Sequence, residues 1–271
     1  GQSGVIDVLG GIVVPCEYDW IDRFDQGVAR VRKNGKFGLL SPFGDLLAPL
    51  EYDHIGLFRD SLALVVKGTK CGYMDPMGRI RIPLEYEAGE GVTNWGDMTR
   101  GMARVQKKGK RGLIDRSGKV VLAPLFVDLG IPSAELVPVR RKDRWGYVDL
   151  SGKQVQADKY DQAWELNSGV ARFRIGNLYG LLDSAGREVV PPRYELLLDP
   201  VHELIVATLE GRQGAIGRDG VVRVPFEFDE VRVEDKDLVR VERNDKLGYY
   251  RPGADRFLWK EDGFDAPAEA E

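Results

Sequence analysis

The pairing in this chain most suggestive of chemistry is an aromatic ring beside a carboxylate. It recurs as Tyr18-Asp19, Tyr52-Asp53, Tyr86-Glu87, Tyr160-Asp161, Tyr194-Glu195 and Phe228-Asp229. Such a corner can stack a sugar or hold a peptide. An acid present in nearly every copy of a repeat is better explained by folding than by one active site, so the plainer reading is a tyrosine packed between units and an acid bonding turn backbone. The two histidines, His54 and His202, stand in no His-x-x-x-His or Cys-x-x-Cys setting, and no metal site is expected. A Gly-x-Ser-x-Gly elbow and a phosphate-cradling Gly-Lys-Ser/Thr loop are both missing. Cys16 and Cys71 occupy different repeat positions and read as small buried residues rather than a disulfide framework. No catalytic residue and no cofactor are assigned, and the expectation is that the chain is not an enzyme.

Candidates for recognition lie where the copies differ, because the repeat does not demand those identities. Two residues after the tail aromatic stand Trp20, His54, Gln162, Leu196 and Glu230; four after it, Trp164 replaces Asp22, Gly56, Leu198 and Arg232. An insertion from about Gly89 to Arg100 carries Trp95 beside Asn94. Extended loops commonly carry function, and tryptophan is over-represented among binding hot spots. The competing reading of Trp95 and Trp164 is a ring folded over an apolar seam. A second candidate surface is a strand face carrying Arg30, Arg104, Arg172 and Arg240, whose plainer reading is exposed decoration.

These residues hang on a repeat. Glycines stand at Gly4, Gly38, Gly72, Gly112, Gly146, Gly180, Gly214 and Gly248, 34 residues apart except for one interval of 40. Each opens a phrase such as Gly146-Tyr147-Val148-Asp149-Leu150-Ser151-Gly152, and a Pro-x-x-aromatic-acid tail follows, as from Pro49 to Tyr52-Asp53. Units of this size cannot bury an apolar face alone, so a fixed period means stacked copies. Ahead of the glycine, Ala29 and Val31 alternate with Arg30 and Arg32, the period of a half-buried strand. Lys33-Asn34-Gly35-Lys36 and its equivalents supply hairpin turns, and the Asp-x-x-Gly element a second turn. A third short strand, such as Leu46-Leu47-Ala48, is expected to stop at the proline, which lacks a ladder donor. No segment shows a capped helical period, so almost no helix is expected.

The arginines form a superperiod. Eight residues before each glycine stand Arg30, Leu64, Arg104, Pro138, Arg172, Val206 and Arg240; just after it stand Leu39, Tyr73, Leu113, Tyr147, Leu181, Ala215 and Tyr249. Neighbouring copies therefore sit in alternating environments, which suits a superhelix with about two repeats per turn better than a ring of equivalent blades. The fold expected is all-β, tandem ~34-residue β-hairpin repeats in an open superhelix or solenoid, with a closed β-propeller as the alternative. One array is expected over 1–260, about seven copies plus partial end copies, followed by a flexible acidic tail over 261–271, with Trp259 capping the last unit.

Trp145-Gly146-Tyr147-Val148-Asp149-Leu150-Ser151-Gly152-Lys153, preceded by a basic turn, resembles the bacterial WG-repeat family. The likeness runs from Gly4 to about Trp259, although the Trp position is degenerate, holding Phe37, Cys71, Arg111, Trp145, Tyr179, Gln213 and Leu247. The resemblance implies a binding or scaffold architecture, often exported, and transfers no catalytic residue.

With 43% hydrophobic and 30% charged residues the chain reads as a soluble folded protein, and its net charge of −4 offers no general attraction to nucleic acid or anionic lipid. No apolar stretch is long enough to span a bilayer. Gly1-Gln2-Ser3 opens partway through a repeat and reads as a cut end. The leading functional reading is a non-enzymatic repeat protein that binds another macromolecule, a protein first, as scaffold or inhibitor. Glycan or cell-wall binding through exposed aromatics is one alternative; a hydrolase or lyase with an unrecognised site is the other.

Overall fold

The computed structural model describes residues 1–131 and 136–265. By its internal contacts the chain divides into two compact units, Gly1–Ile131 and Pro132–Glu271. The architecture is all-β: tandem antiparallel meanders of two to four strands, with, among the described residues, one four-residue helix at Val92–Trp95 and one 3-10 turn at Pro252–Ala254. Among the described residues no helix is long and apolar enough to cross a membrane.

A typical copy in the first unit runs Trp20–Ile21, Ala29–Lys33, Lys36–Leu40 and Leu46–Tyr52, in that spatial order. The two-residue first strand was not anticipated from sequence, since it is too short to show a period. The central hairpin pairs Lys33 with Lys36 across Asn34 and Gly35, at φ 53° and 76°. Both values lie in the left-handed region, as a two-residue turn matching strand twist requires. A second turn of the same kind joins the first two strands, at Gln26-Gly27, Asp60-Ser61, Arg100-Gly101, Ser168-Gly169 and His202-Glu203.

The last strand corrects one expectation. Proline does not stop the ladder; the strand passes through Pro49 to Tyr52. Phe37 pairs with Tyr52 and Leu39 with Ala48, so Pro49, Leu50 and Glu51 on one strand stand opposite Gly38 alone on the other. This is an enlarged bulge, and Pro49, which has no N–H to donate, lies within it. The bulge crosses the phrase-opening glycine. A Cβ on Gly38 would lie 2.8 Å from the Ala48 carbonyl oxygen, and one on Gly72 would lie 2.5 Å from that of Ile82. Gly112, Gly180 and Gly214 meet Leu122, Val190 and Val224 in the same way, at 2.5, 2.6 and 2.8 Å. The two sequence phrases are thus two sides of one contact.

Burial is distributed over clusters, each built from adjacent copies. Leu39, Ala48 and Tyr52 pack with Ile55, Ala63 and Met74 in the first unit; Leu181, Val190 and Tyr194 pack with Ile205, Ala207 and Ile216 in the second. The ordered packing passes Lys260: Phe264 is 1% exposed against Phe228 and Phe257, while Trp259 is 51% exposed. Phe264 therefore covers the end of the last core, a task the sequence had suggested for Trp259. Of the tail expected over 261–271, residues 266–271 lie outside the described residues.

Candidate functional site

The repeated polar residues are engaged within the fold. Each tail acid reaches forward to the next hairpin turn: Asp19 accepts the Asn34 amide at 2.7 Å, Asp53 that of Gly68 at 2.6 Å and Asp161 that of Gly176 at 2.6 Å. The tail aromatics Tyr18, Tyr52, Tyr86, Tyr160 and Tyr194 are buried. The turn aspartates behave alike. Asp115 Oδ1 accepts the Ser117 and Lys119 amides at 2.8 and 3.0 Å, and Asp149 those of Ser151 and Lys153 at 2.9 and 3.0 Å. The Ser117 and Ser151 hydroxyls add a further bond each, and hold these carboxyls below the usual range.

Three of the four column arginines turn out to be internal ties. Arg30 Nη1 donates to the Ile55 carbonyl at 3.1 Å, Arg104 Nη1 to Leu129 at 3.3 Å and Arg172 Nη1 to Leu197 at 2.5 Å, each 25 residues on. A tryptophan accompanies each one. Arg30 lies 5.6 Å from the Trp20 ring centroid and Arg172 5.3 Å from that of Trp164, while Arg104 Nε donates to the Trp95 carbonyl at 3.0 Å. The alternate copies answer with tyrosine. Tyr73 Oη donates to the Gly96 carbonyl at 2.5 Å, and Tyr147 Oη sits 2.9 and 3.0 Å from the carbonyls of Trp164 and Arg172. The third alternate copy has Ala215 there, and Tyr249 stands in the Arg240 copy, so the alternation holds only as far as Arg172. Arg240 makes no such tie among the described residues and pairs with Glu242 at 3.8 Å.

Trp95 is also drawn inward. Its ring packs on the cluster of Tyr73, Val92, Met98 and Val105, its indole N–H donates to the Glu90 carbonyl at 3.2 Å, and the Arg111 guanidinium lies 4.4 Å from its centroid. The indole thus serves as a seam cover, whatever else it does. The side chain of Asn94 lies outside the described residues. Trp164 lies 5.7 Å from Tyr179, tilted, in the second unit.

What remains at a surface in the first unit is a row of non-repeated side chains. Trp20, Phe37 and His54 follow one another edge to face, with centroids 6.3 and 6.0 Å apart, all half-buried. Asp97, from the insertion, joins the row: it pairs with Arg59 at 3.7 Å, and His54 and Arg30 act on its charge. Burial dominates there. It lowers the pKa of His54 and raises that of Asp97, in the latter case against the pull of Arg59, His54 and Arg30. Sequence reasoning found Trp20, Arg30 and His54 but missed Asp97 and Arg59, whose meeting depends on how the insertion folds back. His202 lies in the second unit, at φ 47° in a turn. Cys16 is exposed rather than buried; Cys71 is buried, which pushes its thiol up to about 11 and leaves it a poor nucleophile. Among the described residues no group of three or more His, Cys, Asp or Glu could hold a metal.

A family profile described as "WG containing repeat" matches residues 4–37, 37–71, 72–110, 112–144, 145–179, 179–211 and 214–246. No curated protein matches the chain. Among solved structures it is similar to Kluyveromyces lactis Hsv2, at 9% identity over 88% of this chain and 96% of that one, TM-score 0.42. It is also similar to apo AztD from Citrobacter koseri, at 13% identity over 89% and 84%, TM-score 0.38. A structure described as the eukaryotic initiation factor matches at 11% identity over 96% and 82%, TM-score 0.43.

Proposed function

The chain belongs to the WG-containing-repeat family, and from that premise we propose that it is a non-enzymatic protein that binds another protein through its repeat surface, as a scaffold or inhibitor. The observation that carries this reading is the division of labour among side chains. Residues that the repeat requires serve the fold, as Gly38 under the bulge, Asp53 on the turn and Tyr52 in the core do. Several residues that differ between copies meet in one row, Trp20, Phe37 and His54 with Asp97 and Arg59. Half-buried aromatics mixed with a cation and a carboxylate are the composition of a protein interface. The rings stand edge to face and Arg30 covers one face of Trp20, which leaves less open ring face than a sugar-stacking platform needs.

The test is capture of proteins from the source organism on immobilised chain, comparing wild type with Trp20→Ala and His54→Ala, each checked for an unchanged melting temperature. A protein retained by wild type and lost with Trp20→Ala supports the row. Equal retention by both variants would move binding elsewhere, and enrichment of polysaccharide instead would favour the glycan reading. Assays against glycosides, esters, peptides and phosphoesters are expected to stay at background; turnover abolished at one non-repeated residue would overturn the non-enzymatic reading.

A further inference from the structure

In the first unit a cleft of about 540 Å³ opens between the Asp60-Ser61 turn and two successive aspartate turns, lined among others by Ser61, Asp75, Arg79, Arg81, Arg116 and Ser117. Three guanidiniums converge there in a chain whose net charge is −4. Arg79 is already engaged, its Nε 2.9 Å from an Asp75 carboxylate that also takes the Met77 and Arg79 amides. Arg81 and Arg116 are exposed, and among the described residues neither has a carboxylate partner. Neither is required by the repeat. Arg81 stands where four copies have Leu47, Val121, Val155 and Val189 and one has Arg223, and Arg116 where four have Pro42, Pro76, Leu150 and Ser184 and one has Arg218.

The equivalent groove of the second unit shows what has been withdrawn. There Arg223, at the repeat position of Arg81, is held by Asp219 at 2.7 Å, and Arg218 by Glu203 at 3.0 Å. The first unit has Met77 at the position of Asp219 and Ser61 at that of Glu203. The cleft therefore keeps Arg81 without the acids that stand at Glu203 and Asp219; it has Pro76 in place of Arg218 and Asp75 in place of Gly217, and that carboxylate is taken by Arg79. A guanidinium left free at the edge of a concave site is a planar fork suited to a carboxylate or phosphate.

We infer that this cleft binds an acidic segment of a protein, with Arg81 and Arg116 gripping either its carboxylates or a phosphorylated side chain. This deepens the binding reading above by naming the chemistry of the partner, and it is assayed with defined peptides, so that its failure is separable from failure of the Trp20–His54 row. The full chain is titrated into fluorescein-labelled hexaglutamate, a peptide of equal length with two phosphoserines, and hexaglutamine, with anisotropy read at low and at physiological salt. One or both acidic peptides are expected to bind, more weakly with salt, and hexaglutamine not to bind. Binding of only the phosphopeptide assigns the grip to phosphate; binding of both shows that carboxylates suffice. The Arg81→Ala, Arg116→Ala double variant is expected to lose affinity on the order of tenfold or more. Arg187→Ala, which removes an exposed arginine already paired with Asp183 in an equivalent turn, is expected to bind as wild type does. The inference is overturned if wild type binds neither acidic peptide, if the double variant binds as Arg187→Ala does, or if an oligonucleotide of equal charge binds more tightly than both peptides.

Discussion

A Cβ at Gly72 would sit 2.5 Å from the Ile82 carbonyl oxygen and 2.7 Å from that of Pro83, both backbone atoms of a bulge that cannot swing aside. Gly72→Ala is therefore expected to destabilise the protein by about 1 to 3 kcal/mol, the usual range for overpacking. Gly253→Ala, where the nearest atom is Asp237 Oδ1 at 3.9 Å, is expected to stay near zero. Urea midpoints of the two variants check the contrast, and equal shifts would mean that crowding under the bulge is not why glycine recurs. A second residue-scale expectation concerns Asp97. Burial raises its pKa above 3.8, so the folded state holds its proton more tightly than the unfolded chain. Its ionisation then opposes folding once pH exceeds the unfolded pKa, and that cost vanishes as pH falls below it. Asp97→Asn is expected to be neutral or stabilising at pH 7, with any advantage shrinking towards pH 3. A loss of stability at pH 7 would show that the Arg59 pair outweighs desolvation.

At the scale of the element, the turns are held by depressed carboxylates. The pKa values of Asp53, Asp75, Asp115, Asp149, Asp183 and Asp219 are all lowered, by side-chain donors such as Ser117 and Ser151 and by turn amides. A lowered folded pKa gives stability that is present above the unfolded value and lost as pH falls through the folded one. The melting temperature is thus expected to hold from neutrality to about pH 5 and fall below about pH 4. Asp149→Asn should flatten that fall, and an unchanged acid slope would remove the turns as its cause. The ties between copies are a separate matter: Tyr73→Phe leaves the Gly96 carbonyl without its donor in a buried setting and is expected to cost about 1 to 3 kcal/mol. Much of this was legible in the sequence as phrases. Glycine, Pro-x-x-Tyr and Asp-x-x-Gly announced strands and turns because local backbone demands select residue types. Their partners were not legible: Gly72 meets a carbonyl at Ile82, and Arg172 one at Leu197, and a backbone acceptor leaves no mark on residue identity. The arginine superperiod was visible as a pattern, whereas the carbonyls that Arg30, Arg104 and Arg172 reach were not. The cleft at Arg81 and Arg116 was missed because it shows only when two repeats are brought side by side.

At the scale of the molecule, no core is shared by all copies among the described residues. The cluster of Leu39, Ile55 and Met74 and that of Leu64, Tyr73 and Ile114 lie in the first unit; those of Tyr147 with Phe173, Leu181 with Ile216 and Val224 with Tyr250 lie in the second. Each is confined to neighbouring copies, and the Arg30, Arg104 and Arg172 ties likewise reach only 25 residues ahead. Stability of such an array is a sum of local terms and nearest-neighbour couplings, so damage is expected to stay near its source. Hydrogen exchange with mass spectrometry on Gly72→Ala should then show faster exchange from about Ala29 to Phe126, the copy struck and its neighbours, while the strands Val170–Ile175 and Arg212–Gly217 keep wild-type protection. Gly180→Ala should give the converse, with Lys36–Leu40 unaffected. Uniform loss of protection along the whole chain in either variant would mean that the copies unfold as one cooperative body, and that couplings between neighbours exceed what a single overpacked glycine removes.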